Sequence, residues 1–447
     1  MERNILFLPV GRKTFDLEAA DKQRVKSLDY IKQISESVIH PNKIITSPDE
    51  LKEFLSAIDR QSVFLIIYQS VTFADGEFIQ EVTNQINAHV LVWSVREPSV
   101  GGRLRFNSLT GGNSTSHYLR SENHPFSFIY GNIEEAQVQK EIQKQLSVLH
   151  TIKKLQQLKI GLIGEHPPGF FFSDTNEKLL QEKIGATIVD FDLEKAFEES
   201  VKVPENEWIK MVDRAEKQVV GLKKSDETVK RFAQFSTHVE KEINKEEITA
   251  LAIRCLPEFF SQLGAAACST LSQFTEDGVV SACESDIHGS ISMFILRELA
   301  KGEAPYLGDM VHVNEASNSA VFWHCGASAY SLAHPNTGPQ AGVHPNRKLG
   351  FTMEFGLKPG VVTMFRLSYS KYDGYRLLIL RGQALDTPQR FNGTSVEVEL
   401  ETEINNTLYS LMKQGFEPHY ALVYSDVVEE LVELGRQLNI DTTIFVK

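Results

Sequence analysis

Apolar residues in the first third of the chain gather into short continuous runs separated by longer amphipathic stretches. Residues 4–10 (NILFLPV), 62–68 (SVFLIIY), 89–95 (HVLVWSV) and 126–130 (FSFIY) are such runs. Their length, their β-branched content and their lack of alternation fit parallel strands covered on both faces. Helical patterns lie between them. Residues 17–38 carry mixed charge with spaced apolar positions. Ser47-Pro48-Asp49-Glu50 is a helix start, with Ser47 as cap, Pro48 in the first turn and Glu50 placed to close a capping box. This βα rhythm predicts a doubly wound parallel sheet over residues 1–153.

A charged helix over 134–158 leads to KIGLI at 159–163, which begins a second βα series. Residues 186–191 (ATIVDF) read as its next strand. The Lys- and Glu-rich stretch 193–248 reads as solvated helices, and 249–266 as a buried helix. The pattern changes near residue 300, where Gly, Pro, His and Asn become frequent. Residues 351–357, 361–369 and 375–385 then look like antiparallel strands, with Lys358-Pro359-Gly360 and Lys371-Tyr372-Asp373-Gly374 as turns. The end returns to βαβ: HYALVYSD, a helix over 427–438, and TTIFVK. The expected fold class is α/β. Two doubly wound parallel-sheet domains (1–153 and 154–300) precede a C-terminal domain (301–447) with an antiparallel β-sheet or barrel.

Composition narrows the function classes. The 447 residues are 42 % apolar and 23 % charged, which excludes dominant disorder. A net charge of -13 supplies no chain-scale positive face for nucleic acid. Four cysteines without CxxC spacing argue against a disulfide framework and for a reducing compartment. No apolar run approaches the ~18 residues of a membrane span, and the N-terminal run is too short for a secretory signal. A cytoplasmic protein with no membrane or nucleic-acid partner is expected.

The first chemical candidate is Gly161-Leu162-Ile163-Gly164, followed by Pro167-Pro168-Gly169-Phe170. It lacks the GxGxxG and GK[ST] fingerprints, and two prolines remove two amide donors from any phosphate cradle. It reads as a strand-to-loop turn that can still wall a ligand crevice. The denser signal is Ala282-Cys283-Glu284-Ser285-Asp286-Ile287-His288-Gly289, ahead of an apolar helix. Asp309, His324 and His419 each border an apolar segment further on. Singly, each has a bland account: Glu284 or Asp286 as a helix cap, His324 beside Trp323 as a satisfied core histidine. Together they share a costly placement, because ionisable groups beside apolar segments are usually paired or bind metal. Carboxylates with one or two imidazoles suit Mn²⁺, Mg²⁺ or Co²⁺. A thiolate zinc site is disfavoured, since Cys283 and Cys325 lack zinc-like spacing.

These segments resemble the L-fucose/L-arabinose isomerase-like family, in particular its fucose-isomerase-like branch. The resemblance covers nearly the whole chain. It runs through VLVWSVREPSVGGRLRFNSLTGGN and KIGLIGEHPPGF, and is most specific in CESDIHGSISM, Gly308-Asp309, WHCG at 323–326, LKPGVVTMFRLS and PHYALVYSD. It implies a divalent metal, usually Mn²⁺, and aldose–ketose interconversion through an enediol. Glu284, Asp309 and His419 match the metal ligands, and Glu284 and Asp309 are the candidate base and acid. His324 matches a ligand of the arabinose-isomerase branch and is here a ligand or a substrate contact. Pro418-His419-Tyr420 replaces the family's frequent adjacent histidines and leaves one ligand there.

Some members take L-fucose or arabinose, and similar proteins act on sulfoquinovose, a sulfonated hexose. Basic groups in expected pocket loops suit an anionic sugar: Arg103, Arg105, His166, His334, His344, Arg347 and Lys348. The bland alternative is surface charge on loops. Asn107 and Ser108 are further expected substrate contacts, and Trp323 and Phe170 are candidates to pack on the sugar's apolar face. The resemblance also implies a homo-oligomer, a trimer or hexamer. The rival readings are a non-catalytic sugar-binding protein and a metal-dependent epimerase or aldolase.

Overall fold

The computed structural model describes residues 4–447. They divide into two compact units, one ending at Leu149 and the other running from His150 to Lys447. The first unit holds five parallel strands: β1 Asn4–Val10, β2 Val38–Ile39, β3 Val63–Ser70, β4 His89–Ser94 and β5 Phe126–Tyr130, in the order β2-β1-β3-β4-β5. Strands β1, β3 and β4 are buried almost throughout, as their unbroken apolar runs require. The helix Pro48–Ser56 starts where expected. Ser47 accepts the Glu50 N–H at 3.3 Å, and Glu50 reaches back to the Thr46 N–H at 2.8 Å.

The second unit begins with β6 Lys159–Ile163, β7 Thr187–Phe191, β8 Ala250–Ile253 and β9 Val280–Cys283, all parallel, in the order β7-β6-β8-β9. Nine strands follow: β10 Tyr306–Asn314, β11 Ser319–His324, β12 Gln340–Gly342, β13 Thr352–Gly356, β14 Gly360–Ser370, β15 Gly374–Ala384, β16 Thr394–Leu400, β17 His419–Val423 and β18 Asp441–Phe445. The ring β16-β11-β10-β17-β14-β15 closes on itself because β15 also pairs with β16, giving a six-stranded antiparallel barrel. Closure removes free edges from those six strands. Among the described residues, no helix is long and apolar enough to cross a membrane.

Three expectations are corrected. Residues 249–266 are not a helix: β8 takes 250–253, and only a short helical turn, Phe259–Leu263, follows. A short apolar run has no decisive period, and Pro257 interrupts this one. The helices Glu205–Glu216 and Glu227–Glu246 are not merely solvated. Each is amphipathic, and Trp208, Met211, Val212, Val229 and Phe232 join the barrel strands in one core. Lys358-Pro359-Gly360 does not close a hairpin, because β13 pairs with β12 and β16 rather than with β14. The turn at 371–374 does join the hairpin β14–β15.

The helix Ile287–Leu299 positions the chemistry. It is buried along nearly all its length and touches β8 and β9 on one side and β14 and β17 on the other. A helix apolar all round belongs between two layers. Its N-terminal turn therefore carries residues 284–286 from the parallel sheet to the barrel.

Candidate active site

Glu284 and Ser285 leave β9 in the left-handed region, with φ of 58° and 54°. Two consecutive non-glycine residues there are held by their surroundings. Ser285 donates its N–H to the Ile253 carbonyl at 3.1 Å and its hydroxyl to the Gly164 carbonyl at 2.9 Å. The next residue, Asp286, caps the helix by accepting the Gly289 N–H at 2.8 Å. A Cβ at Gly289 would collide with an Asp286 carboxylate oxygen, so this close approach requires glycine.

Asp286 is fully buried and does more than cap. Arg366 on β14, equally buried, donates to both its oxygens at 2.5 and 3.0 Å. His419 Nδ1 lies 2.8 Å from Oδ2. Burial alone would raise the Asp286 pKa, but the Arg366 charge and the His419 hydrogen bond hold it far below the usual carboxylate range. The carboxylate can only accept, so His419 carries a proton on Nδ1, and the neutral ring turns a lone pair outward on Nε2. Glu417 lies 3.7 Å from Arg366 Nε and accepts the Tyr369 N–H at 2.9 Å.

His419 Nε2 is buried without a hydrogen-bond partner. Glu284 Oε2 stands 3.5 Å from it and Asp309 Oδ1 3.6 Å. Asp309 on β10 is the register partner of His419 on β17. Burial pushes the Glu284 carboxyl above its ordinary value, His419 and His324 oppose the rise, and Asp309 adds to it. The His324 ring centroid is 5.7 Å from that of His419, and Phe172 sets its ring edge-on to His419 at 5.2 Å. Glu284, Asp309, His419 and His324 thus converge, although 135 positions separate the first from the third.

Trp323 lies nearly parallel to His324 and donates Nε1–H to the Asn392 carbonyl at 2.6 Å. His166 pairs with Asp174 at 2.9 Å. Arg347 lies over the Phe260 ring at 5.9 Å. In the first unit, Arg103 donates to the Thr14 carbonyl at 2.7 Å, and Ser108 Oγ accepts the Val95 N–H at 2.9 Å. Asn107, with φ of 53°, precedes the helix Ser108–Ser121. Arg105 pairs with Asp16 at 2.7 Å and His334 with Asp386 at 2.9 Å. His288 turns away from the cluster. It stacks on Tyr369, and burial followed by the Arg366 charge lowers its pKa to about 3, so it is a neutral core histidine.

A second group of possible ligands is made by Cys268, Cys325 and His344, whose ligand atoms lie within 4.8 Å of one another. The two sulfurs are 3.5 Å apart, and all four cysteines are free and buried. His344 Nδ1 accepts the N–H groups of Asn346 and Arg347 at 3.3 Å, which places the proton of a neutral ring on Nε2. Such a ring offers a donor, not a lone pair, at Nε2.

Sequence reasoning does not assign Arg366, Glu417 or Phe172 to the site. For Arg366 the signal is present in VVTMFRLS: a full charge inside a buried strand demands a buried counter-charge.

Residues 324–445 match the family model described as L-fucose isomerase, C-terminal domain. Over 442 residues the chain is 60 % identical to a sulfoquinovose isomerase of Priestia aryabhattai, covering 99 % of both chains. It is 55 % identical over 436 residues to that of Alkalicoccus urumqiensis, with 98 % of each covered. To that of Clostridium sp. (strain MSTE9) it is 36 % identical over 452 residues, with 99 % of each covered. With similarity of this depth over nearly its whole length, the chain belongs to the fucose-isomerase-like family of aldose–ketose isomerases.

Proposed function

We propose that the protein is a metal-dependent isomerase converting sulfoquinovose, or a closely related anionic hexose, to its 2-ketose. The substrate class rests on the names of its relatives. The metal dependence rests on one observation: the buried, partnerless Nε2 of His419, with its lone pair fixed outward by Asp286 and two carboxylates flanking it. Glu284, Asp309 and His419 would hold a divalent cation, Mn²⁺ first, by an oxygen-rich donor set that suits it. When bound, such a cation supplies Lewis-acid polarisation of the sugar carbonyl.

The chain's own groups account for the proton. A carboxylate takes the C2 proton of the aldose, and the C1–H bond forms as C1 is protonated. The O2 proton is given up as O1 gains one, so the enediol resolves to the ketose. Glu284 and Asp309 are the base and acid, one on each face of the sugar. The family resemblance adds a trimer or hexamer. Four free, buried cysteines fit a cytoplasmic setting.

The test is sulfoquinovose with Mn²⁺ in D₂O, followed by NMR, beside L-fucose and L-arabinose. Ketose carrying solvent deuterium at C1, lost after chelation and restored by Mn²⁺, is the expected result. Full turnover in demetallated protein, or cleavage of the carbon chain, would refute the reading.

A further inference from the structure

The site contains two histidines whose Nδ1 atoms meet opposite partners. His419 Nδ1 faces Asp286, a carboxylate that can only accept. His324 Nδ1 faces the backbone N–H of Cys325 at 2.9 Å, an amide that can only donate. Each ring also has a buried Nε2 with no partner within the chain. The consequence for Nε2 follows from the inventory of imidazole. On the neutral His419 ring it is a lone pair. On His324 it is an N–H.

We propose that His324 is a hydrogen-bond donor to an oxygen of the bound sugar, through Nε2–H, and not a ligand of the cation. The proposal rests on the reading that Glu284, Asp309 and His419 hold that cation. A nitrogen that carries a proton cannot coordinate a metal, whereas a buried N–H without a partner is costly until an acceptor arrives. A sugar hydroxyl or carbonyl oxygen supplies the acceptor. The assignment holds in either charge state, because the neutral ring that accepts the Cys325 amide and the doubly protonated ring both carry Nε2–H. The Cys325 amide is thus a positioning group. It favours the Nε2–H tautomer of the neutral ring, and the Cys325 thiol lies within hydrogen-bond distance of the same Nδ1, at 3.3 Å, where its S–H can donate as the amide does.

This donor stands beside the carboxylates that move the proton, so it can meet the oxygen on which charge develops. Removing a donor of that kind costs roughly a hundredfold or more in rate.

The first measurement uses the wild-type chain without metal, labelled with ¹⁵N-histidine. Two-bond ¹H–¹⁵N correlations should show His324 protonated at Nε2 and His419 at Nδ1. A His324 protonated at Nδ1 alone overturns the proposal. The second measurement is Mn²⁺ affinity by EPR. His419→Gln should weaken it by about tenfold or more, and His324→Phe should leave it within about threefold. The same His324→Phe should lower kcat/KM by about a hundredfold, with partial recovery in His324→Gln, whose amide can donate. A tenfold loss of Mn²⁺ affinity in His324→Phe, or unchanged turnover, would refute the donor role. A wild-type chain that bound no Mn²⁺ would instead refute the metal site, and the ¹⁵N correlations would still decide the His324 tautomer on their own.

Discussion

Two loops leave the carboxyl ends of parallel strands and meet opposite fates. The loop after β4 directs its strongest group inward. Glu97 accepts the backbone N–H of Arg105, that of Phe106 at 3.0 Å and that of Asn107 at 2.9 Å, and Arg105 in turn pairs with Asp16. The loop after β9 leaves capacity unused. Glu284 is held in a left-handed conformation, partly buried, facing an imidazole nitrogen that has no partner. Parallel sheets guarantee loops at that end, and the fold does no more than that. What distinguishes the second loop is hydrogen-bonding and charge capacity that its own chain leaves open.

The sharpest way to break that contrast is Glu284→Gln. It should lower kcat/KM by about a thousandfold or more if Glu284 is the proposed proton acceptor at the reacting carbon. The melting temperature of the metal-free protein should not fall, since burial makes the charge on Glu284 unfavourable. A loss under about tenfold would place the chemistry elsewhere. Next in size is Asp286→Asn, which leaves the buried Arg366 charge with only the more distant Glu417 carboxylate, 3.7 Å away. Urea unfolding should show a loss of about 3–5 kcal/mol at neutral pH.

The sign with pH follows from the lowered pKa of Asp286. Its contribution is present above the unfolded value of about 3.9 and fades as pH falls below it toward the lowered folded value. The gap between wild type and Asp286→Asn should therefore narrow in acid, and a gap that widened there would contradict the ion pair. The smallest effect belongs to Glu97→Gln, which weakens a carboxylate shared by three amides. A loss of about 1–3 kcal/mol by urea titration is expected.

Much of this arrangement is legible in the residues. The buried runs that become β1, β3 and β4 need no tertiary information, and the Ser47–Glu50 cap is local chemistry. Strands β10, β11 and β16 are not legible, because Asp309, His312 and Asn314 interrupt the apolar pattern of β10, Glu397 and Glu399 that of β16, and the pairing of β11 with β16 is long-range. The convergence of Glu284, Asp309 and His419 can be suspected from residue type but placed only through the buried helix Ile287–Leu299. Arg366 shows the limit most clearly. A lone arginine in an apolar strand announces that a counter-charge exists, but whether it is Asp286, Glu417 or both depends on which helix packs against the barrel.

Asp309 and His419 sit opposite each other on neighbouring antiparallel strands. Their spacing is therefore inherited from the ladder itself, and a slip of one residue would turn one of them to the far face. A lineage adapting to a different sugar can lengthen, shorten or recharge the surrounding loops without disturbing that pair.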